Sequence, residues 1–251
     1  MCNFYGYQVS LASYIRLQKI EKQLGTLLAL SELKILYNGF EYGKAPVLRK
    51  TTSTDFELEL MHWEFIPSWI RTMEDVKNAR KQGIPWLNAS SEKLLESKMF
   101  REAALKRRCL VPASHFFEWR SFKPASAKKE IKYPYCIADR KAEYFFMAGI
   151  WNPFTDKETG ETFNCFAIVT TAANPIMQQI HNNKKRMPLI LPEPYAWQWL
   201  MEDLNETEIK EIISIKIESI ALKAHTISKD FKTSLQPLAK YEYEELPSIN
   251  L

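Results

Sequence analysis

The sequence predicts an α+β domain in which helices lie outside a mostly antiparallel sheet. Three observations lead there. Runs rich in β-branched and aromatic residues crowd the middle of the chain, helix-period segments occupy its start and its last third, and no composition break, repeat or low-complexity tract separates them. The 251 residues are 46% hydrophobic and 13% aromatic, enough for a substantial core and incompatible with global disorder. One domain over 1–251 is therefore expected, with about the last 15 residues as a peripheral tail.

From Val9 to about Leu36, Leu11, Tyr14, Ile15, Ile20, Leu24, Leu27 and Leu28 recur at three- and four-residue steps, predicting a helix that Gly25 could break. Glu57 to Phe65 reads as a strand ended by Pro67. Five later runs read as the sheet: Cys109–Val111, His115–Trp119, Tyr133–Ala138, Tyr144–Trp151 and Phe163–Thr171. Helices are predicted over 72–81, 94–107 and 193–202. Asn205 followed by Glu208 has the form of a capping box for a helix over 206–214.

A net charge of +4 permits a polyanionic partner without requiring one. No signal-type apolar run or membrane-length stretch occurs, so a soluble, cytoplasmic monomer is expected. The cysteines at 2, 109, 136 and 165 have neither disulfide-scaffold density nor metal-type spacing.

Chemistry has a short list of candidates. Cys2 follows the initiator methionine, and its small side chain favours removal of Met1. That would leave an α-amine (pKa about 7.7–8.0) and a thiol (about 8.5) on one skeleton. Such a 1,2-aminothiol condenses with an aldehyde and then closes a five-membered thiazolidine. Glu118 sits in Phe116-Phe117-Glu118-Trp119, where desolvation would raise its pKa and suit it to proton transfer; an exposed strand glutamate is the competing reading. His181 falls near the end of a predicted short helix, where its protonation could be tuned or its role merely structural. Asn88 could cap a helix or bind a ligand oxygen. His62, His115 and His225 complete the histidines, and with no HExxH or similar spacing no metal is expected.

Basic residues cluster at Lys98, Arg101, Lys106, Arg107 and Arg108, at Lys123, Lys128, Lys129 and Lys132, and at Lys184, Lys185 and Arg186. Such runs are commonly solvated faces. Together with Trp63, Trp69, Trp86 and Phe116 they could also supply phosphate contacts and stacking surfaces for single-stranded nucleic acid.

The pieces occur in a characteristic order. Met1-Cys2 is followed by Trp63-Glu64-Phe65-Ile66-Pro67-Ser68-Trp69, Asn88-Ala89, Arg108 through Trp119, Thr170 through Pro175, and His181 through Arg186-Met187-Pro188-Leu189-Ile190-Leu191. This order resembles the SOS-response-associated peptidase family. The resemblance implies a curved, partly barrel-like sheet with a basic DNA groove ending at Cys2. It further implies that mature Cys2 captures the ring-opened aldehyde of an abasic site in single-stranded DNA as a thiazolidine crosslink. Asn88 would orient the open sugar or the Cys2 amine, Glu118 would handle protons, and His181 would stabilise the opened sugar, with no cofactor. Trp63, Pro67, Trp69, Arg108, Phe116 and Arg186 would contact DNA. The peptidase activity in the family name would be autocatalytic removal of the residue before Cys2, and the protein would be nucleoid-associated when bound to DNA.

The chain departs from the family pattern at several positions. Asn3-Phe4 stand where Gly-Arg is frequent, Ser90 where Arg is usual, and Glu64 where Gly is common, the last adding negative charge near the expected groove. An insert, Asn182–Lys185, separates His181 from Arg186. Two other function classes therefore stay open: a cysteine or N-terminal-nucleophile hydrolase with Cys2 as nucleophile and His181 as base, and a non-catalytic single-strand binding module.

Overall fold

A computed structural model describes residues 2–7 and 34–249. The helix expected from Val9 lies almost entirely outside the described residues.

Five strands close on themselves. β3 (Lys44–Lys50), β4 (Phe56–Trp63), β6 (Arg108–Ala113), β9 (Phe145–Thr155) and β10 (Thr162–Ala172) pair in the order β10-β4-β3-β6-β9, and β9 pairs again with β10. Of these contacts the β10–β4 pairing is parallel and the others antiparallel. The α+β class and the partly barrel-like sheet expected from the sequence are thus the observed architecture. A second sheet runs β13 (Leu222–Thr226), β8 (Ile131–Asp139), β7 (His115–Phe122), β1 (Phe4–Gly6), β2 (Tyr37–Asn38).

Most barrel strands are buried on both faces, which explains why the sequence shows continuous apolar runs rather than clean alternation. Cys109, Val111, Met147, Phe166 and Ile168 face one core, shared with Tyr5, Phe116, Tyr133 and Ile137 of the second sheet. Their neighbours Leu110, Phe146, Ala148, Ala167 and Val169 face another, covered by helices. Those helices are α1 (Met73–Lys81), α2 (Arg101–Lys106), α3 (Pro175–Ile180), α4 (Glu193–Met201) and α5 (Glu206–Ser214); the second core takes its helical cover from α2, α4 and α5. The helix expected over 94–107 is shorter than its apolar spacing suggested. Residues 91–93 form a 3-10 turn, and α2 begins only at Arg101. The Asn205–Glu208 capping box is present, as is one at Thr72–Asp75 that the sequence reading did not name.

Trp199 of α4 donates Nε1 to the carbonyl oxygens of Cys109 and Gly149. A Cβ at Gly149 would lie 2.8 Å from the Cys109 sulfur and 3.2 Å from the Ala167 carbonyl oxygen, so glycine is what allows this close approach of the strands.

β10 organises the rest. Along one edge it pairs first with β9 and then with β11 (Arg186–Pro188), and along the other first with β4 and then with β5 (Asn88–Ser90). Its C-terminal end therefore carries Asn88 on one side and the segment following His181 on the other.

Candidate active site

Cys2, Asn88, Glu118 and His181 lie on four separate elements around the end of β10. Cys2 lies two residues before β1, is fully buried, and packs in the same core as Ile176, Met177 and Ile180 of α3. Its thiol donates to the Phe4 carbonyl at 3.7 Å. Burial, reinforced by the neighbouring Glu118 charge, raises the thiol far above its ordinary range. The expectation of a usable thiolate fraction near neutrality is corrected by this. The thiol is neutral and must lose its proton as it reacts.

Glu118 is on β7, which pairs with β1 one turn of the pleat away at Tyr5↔Phe116. Even-numbered residues of β7 point to the core side, so Glu118 follows Phe116 inward and is buried. Desolvation pushes its carboxyl up to about 8. The immediate flanks Phe117 and Trp119 pack on the other face of β7 in a separate cluster, so the desolvation follows from the core that Glu118 enters beside Phe116.

His181 caps the C-terminus of α3, whose start is fixed by Asn174 accepting from the Met177 N–H at 3.0 Å and by Pro175 in the first turn. Its Nδ1 lies 2.7 Å from the Arg186 carbonyl oxygen and 3.6 Å from Oε1 of Glu118. A carbonyl only accepts, so Nδ1 carries the proton and Nε2 presents a lone pair. Burial lowers the imidazole pKa to about 4. The pair thus reverses the usual assignment: at neutral pH the carboxyl holds its proton and the imidazole is uncharged.

Asn88 is on strand β5 and caps no helix. Trp63, one position short of the turn after β4, donates Nε1 to the Leu87 carbonyl at 3.0 Å and so fixes the residue before Asn88. The Asn88 amide donates to Oδ1 of Asn3 at 2.9 Å, while its own Oδ1 is buried with no hydrogen-bond partner among the described residues. Asn3 was not a sequence candidate; its adjacency to Cys2 was the only available signal.

The residues expected to contact DNA divide. Trp69 is 53% exposed and Arg186 is partly exposed, its guanidinium held by Glu92 at 2.6 Å and by the Thr170 carbonyl at 2.6 Å. The expectation is corrected for the others. Trp63 and Phe116 are buried in the core and offer no face to a base, and Pro67 is buried as well, meeting solvent only in the wall of a cavity beside Arg71. Arg108 is buried and directs its guanidinium to the carbonyls of Ala104, Leu105, Trp199 and Glu202, tying α2 to α4. The neighbouring basic run is largely consumed as well, Arg101 pairing with Glu206 and Arg107 with Glu102.

Glu64 does not add negative charge to a groove. It is fully buried, chelated by both Nε and Nη2 of Arg80, which in turn lies 3.6 Å above the Tyr42 ring. The insert after His181 is likewise ordered. Asn182 exchanges two hydrogen bonds with the Ser121 backbone, and Asn183 donates to the Ser121 hydroxyl at 2.7 Å. This leaves Lys184 and Lys185 exposed beside the site, with the Lys184 charge acting on both Glu118 and His181.

A closed barrel backed by a second sheet, with the buried thiol of Cys2 set against a buried carboxyl and imidazole, defines the class of this protein: an α+β barrel whose candidate site groups a cysteine, an acid and a histidine. The chain belongs to the SOS-response-associated peptidase family, whose model matches residues 1–234. Among relatives, it is 27% identical over 168 residues to the abasic site processing protein YoqW of Bacillus subtilis, covering 67% of this chain and 68% of that one. It is 26% identical over 170 residues to the abasic site processing protein YedK of Escherichia coli, covering 68% and 67%. A crystal structure of a Bacteroides thetaiotaomicron protein superposes with a TM-score of 0.81 at 27% identity, covering 96% of this chain and all of that one.

Proposed function

We propose that the protein processes abasic sites in single-stranded DNA by covalent capture on Cys2. The observation that carries this reading is the burial of Cys2 beside a carboxyl that keeps its proton to about pH 8, next to a neutral imidazole. The relatives named for abasic-site processing support the substrate.

Hydrolysis of the Met1–Cys2 peptide bond frees the Cys2 amine. The amine adds to the aldehyde carbon of the ring-opened sugar, and Glu118 donates its proton to the hydroxyl of the resulting carbinolamine, which leaves as water. The thiol then attacks the iminium carbon while its proton passes to the Glu118 carboxylate. Amine, aldehyde and thiol become a thiazolidine and one water, and Glu118 ends as it began. Asn88 Oδ1, a buried acceptor without a partner among the described residues, receives an N–H of the Cys2 amine. Nε2 of His181 accepts from a hydroxyl of the opened sugar. An imidazole of pKa about 4 is a weak base at neutral pH, which counts against a hydrolase using His181 to activate Cys2.

The test is incubation of the protein with single-stranded DNA bearing one abasic site, read on a denaturing gel and by intact mass. A Cys2-dependent adduct lacking Met1 is expected, absent with undamaged DNA and with Cys2→Ala. Multiple turnover on peptides without an adduct would overturn the reading in favour of a hydrolase, and retention on DNA that survives Cys2→Ala and vanishes on denaturation would reduce it to a binding module.

A further inference from the structure

A second charged cavity lies at the opposite end of β10, where Pro67, Ser68, Ile70 and Arg71 face the β9–β10 hairpin. It measures about 320 Å³, and its charged lining is Arg71, Arg107, Lys157 and Glu102. Three cations against one carboxylate leave it with a surplus of two positive charges (3 − 1 = 2). Glu102 is engaged by Nη1 of Arg107 at 2.9 Å. Nε of the same guanidinium is buried with no acceptor among the described residues. Arg71 and Lys157 are exposed, have no ion pair among the described residues, and are set side by side by the Lys157 N–H donating to the Arg71 carbonyl at 2.9 Å. Asp156, next in sequence, is turned away to the backbone N–H groups of Met73, Glu158 and Thr159.

Two further facts identify the ligand chemistry. The surplus charge favours an anionic ligand, and the exposed Arg71 and Lys157 side chains are the donors for its oxygens. Trp69, flanked in sequence by Ser68 and Ile70 of the cavity wall, exposes its indole beside it. A cationic recess next to an exposed aromatic ring matches one phosphate and one base of a single strand. We propose that this cavity is a phosphate-binding subsite for the DNA strand running away from the lesion, an inference that rests on the single-stranded substrate proposed above.

Its distance from the chemistry follows from the sheet. Asn164 pairs with Pro153 at the cavity, whereas Ile168 pairs with Asn88. The four intervening steps of strand span roughly 13 Å at about 3.3 Å per residue. The subsite therefore engages only strands that extend a few nucleotides from the abasic site.

Arg71 and Lys157 are exposed, so the double variant Arg71→Ala/Lys157→Ala isolates the effect. Binding of undamaged single strands of increasing length is measured against salt, and adduct formation is followed on short and long strands carrying one abasic site. For long strands the double variant is expected to lose about 1.4 from the slope of log affinity against log salt, at about 0.7 per phosphate contact. Its adduct rate on the shortest strand should equal that of the wild type, and the rate advantage of longer strands should disappear. A wild type that crosslinks, with slope and length dependence unchanged in the double variant, overturns the subsite alone. A wild type that forms no adduct overturns the proposed chemistry, while the slopes still report on the cavity. Inorganic phosphate that occupies the cavity while long strands gain nothing over short ones would assign it to a free anion and overturn the strand assignment.

Discussion

The side chain of Asn3, the residue after Cys2, accepts a hydrogen bond from the Asn88 amide at 2.9 Å. The orientation of Asn88 is thereby set by the same short segment that carries the thiol. Its Oδ1 is left as an acceptor in a buried space with no protein partner among the described residues. In the proposed capture, Asn3 would act through Asn88 as a positioning residue.

Replacing Asn3 by Leu removes that acceptor at similar volume. Single-turnover adduct formation should slow by roughly five- to tenfold, the equivalent of about 1 kcal/mol for one neutral hydrogen bond. Asn3→Asp, which keeps an acceptor oxygen, should recover most of the rate. Equal rates for Asn3→Leu and wild type would remove Asn3 from the mechanism.

Glu118 should give adduct formation a pH profile that declines as pH rises through about 8, where the carboxyl loses the proton it donates. Glu118→Gln should be slower at every pH and should lack this decline, keeping only the rise as the Cys2 amine loses its proton at about 7.7–8.0. The same group affects stability. Its folded pKa of about 8 lies above the ordinary 4.5, so its contribution is fully present below about 4.5 and is lost as pH rises through about 8. Thermal melts should therefore fall more steeply between pH 5 and 9 for wild type than for Glu118→Gln, conditions of about that range bracketing both pKa values.

His181 and His115 act on the other side. Both are held near pKa 4 by burial against an ordinary 6.5, so the stability they contribute is present above about 6.5 and is lost as pH falls through about 4. The two effects together place maximum stability between about pH 5 and 8. His181→Gln should flatten the acid limb of a melting-temperature profile, and an unaltered limb would exclude His181 from the titration.

Arg80→Ala should be among the most destabilising substitutions outside the apolar core. It leaves the Glu64 carboxylate buried without its counter-ion, a change of about 3–5 kcal/mol measurable by urea denaturation. Adding Glu64→Gln should restore much of the loss, because the uncompensated charge rather than the missing guanidinium is the main cost.

The strands and later helices were legible because their signals are local. Aromatic and β-branched runs, the Asn205–Glu208 box and Pro175 each state a backbone preference in a few residues. The two-sided burial of β6, β9 and β10 erased the alternation that would have marked which face each residue takes. Cys2, Glu118 and His181 could be named because their residue types are unusual in those settings. Trp63, Phe116 and Arg108 were misassigned because an aromatic or a cation near a motif reads the same whether it faces solvent or core. Arg108 shows the difficulty: four backbone carbonyls from two helices and the segments that follow them satisfy it, and no local pattern announces them. Asn3 and Arg80 were illegible for the related reason that their partners lie 85 and 16 residues away.

The pairing of β10 with four other strands has a bearing on the order in which the molecule is made. The surroundings of Cys2 need β7, the full length of β10, and α3 with the Arg186 carbonyl that holds His181. Contacts so distant in sequence close late and slowly. The grouping of thiol, carboxyl and imidazole is therefore a property of the finished sheet and not of the short segment that carries Cys2, and a chain that has not closed β10 against its neighbours does not have it.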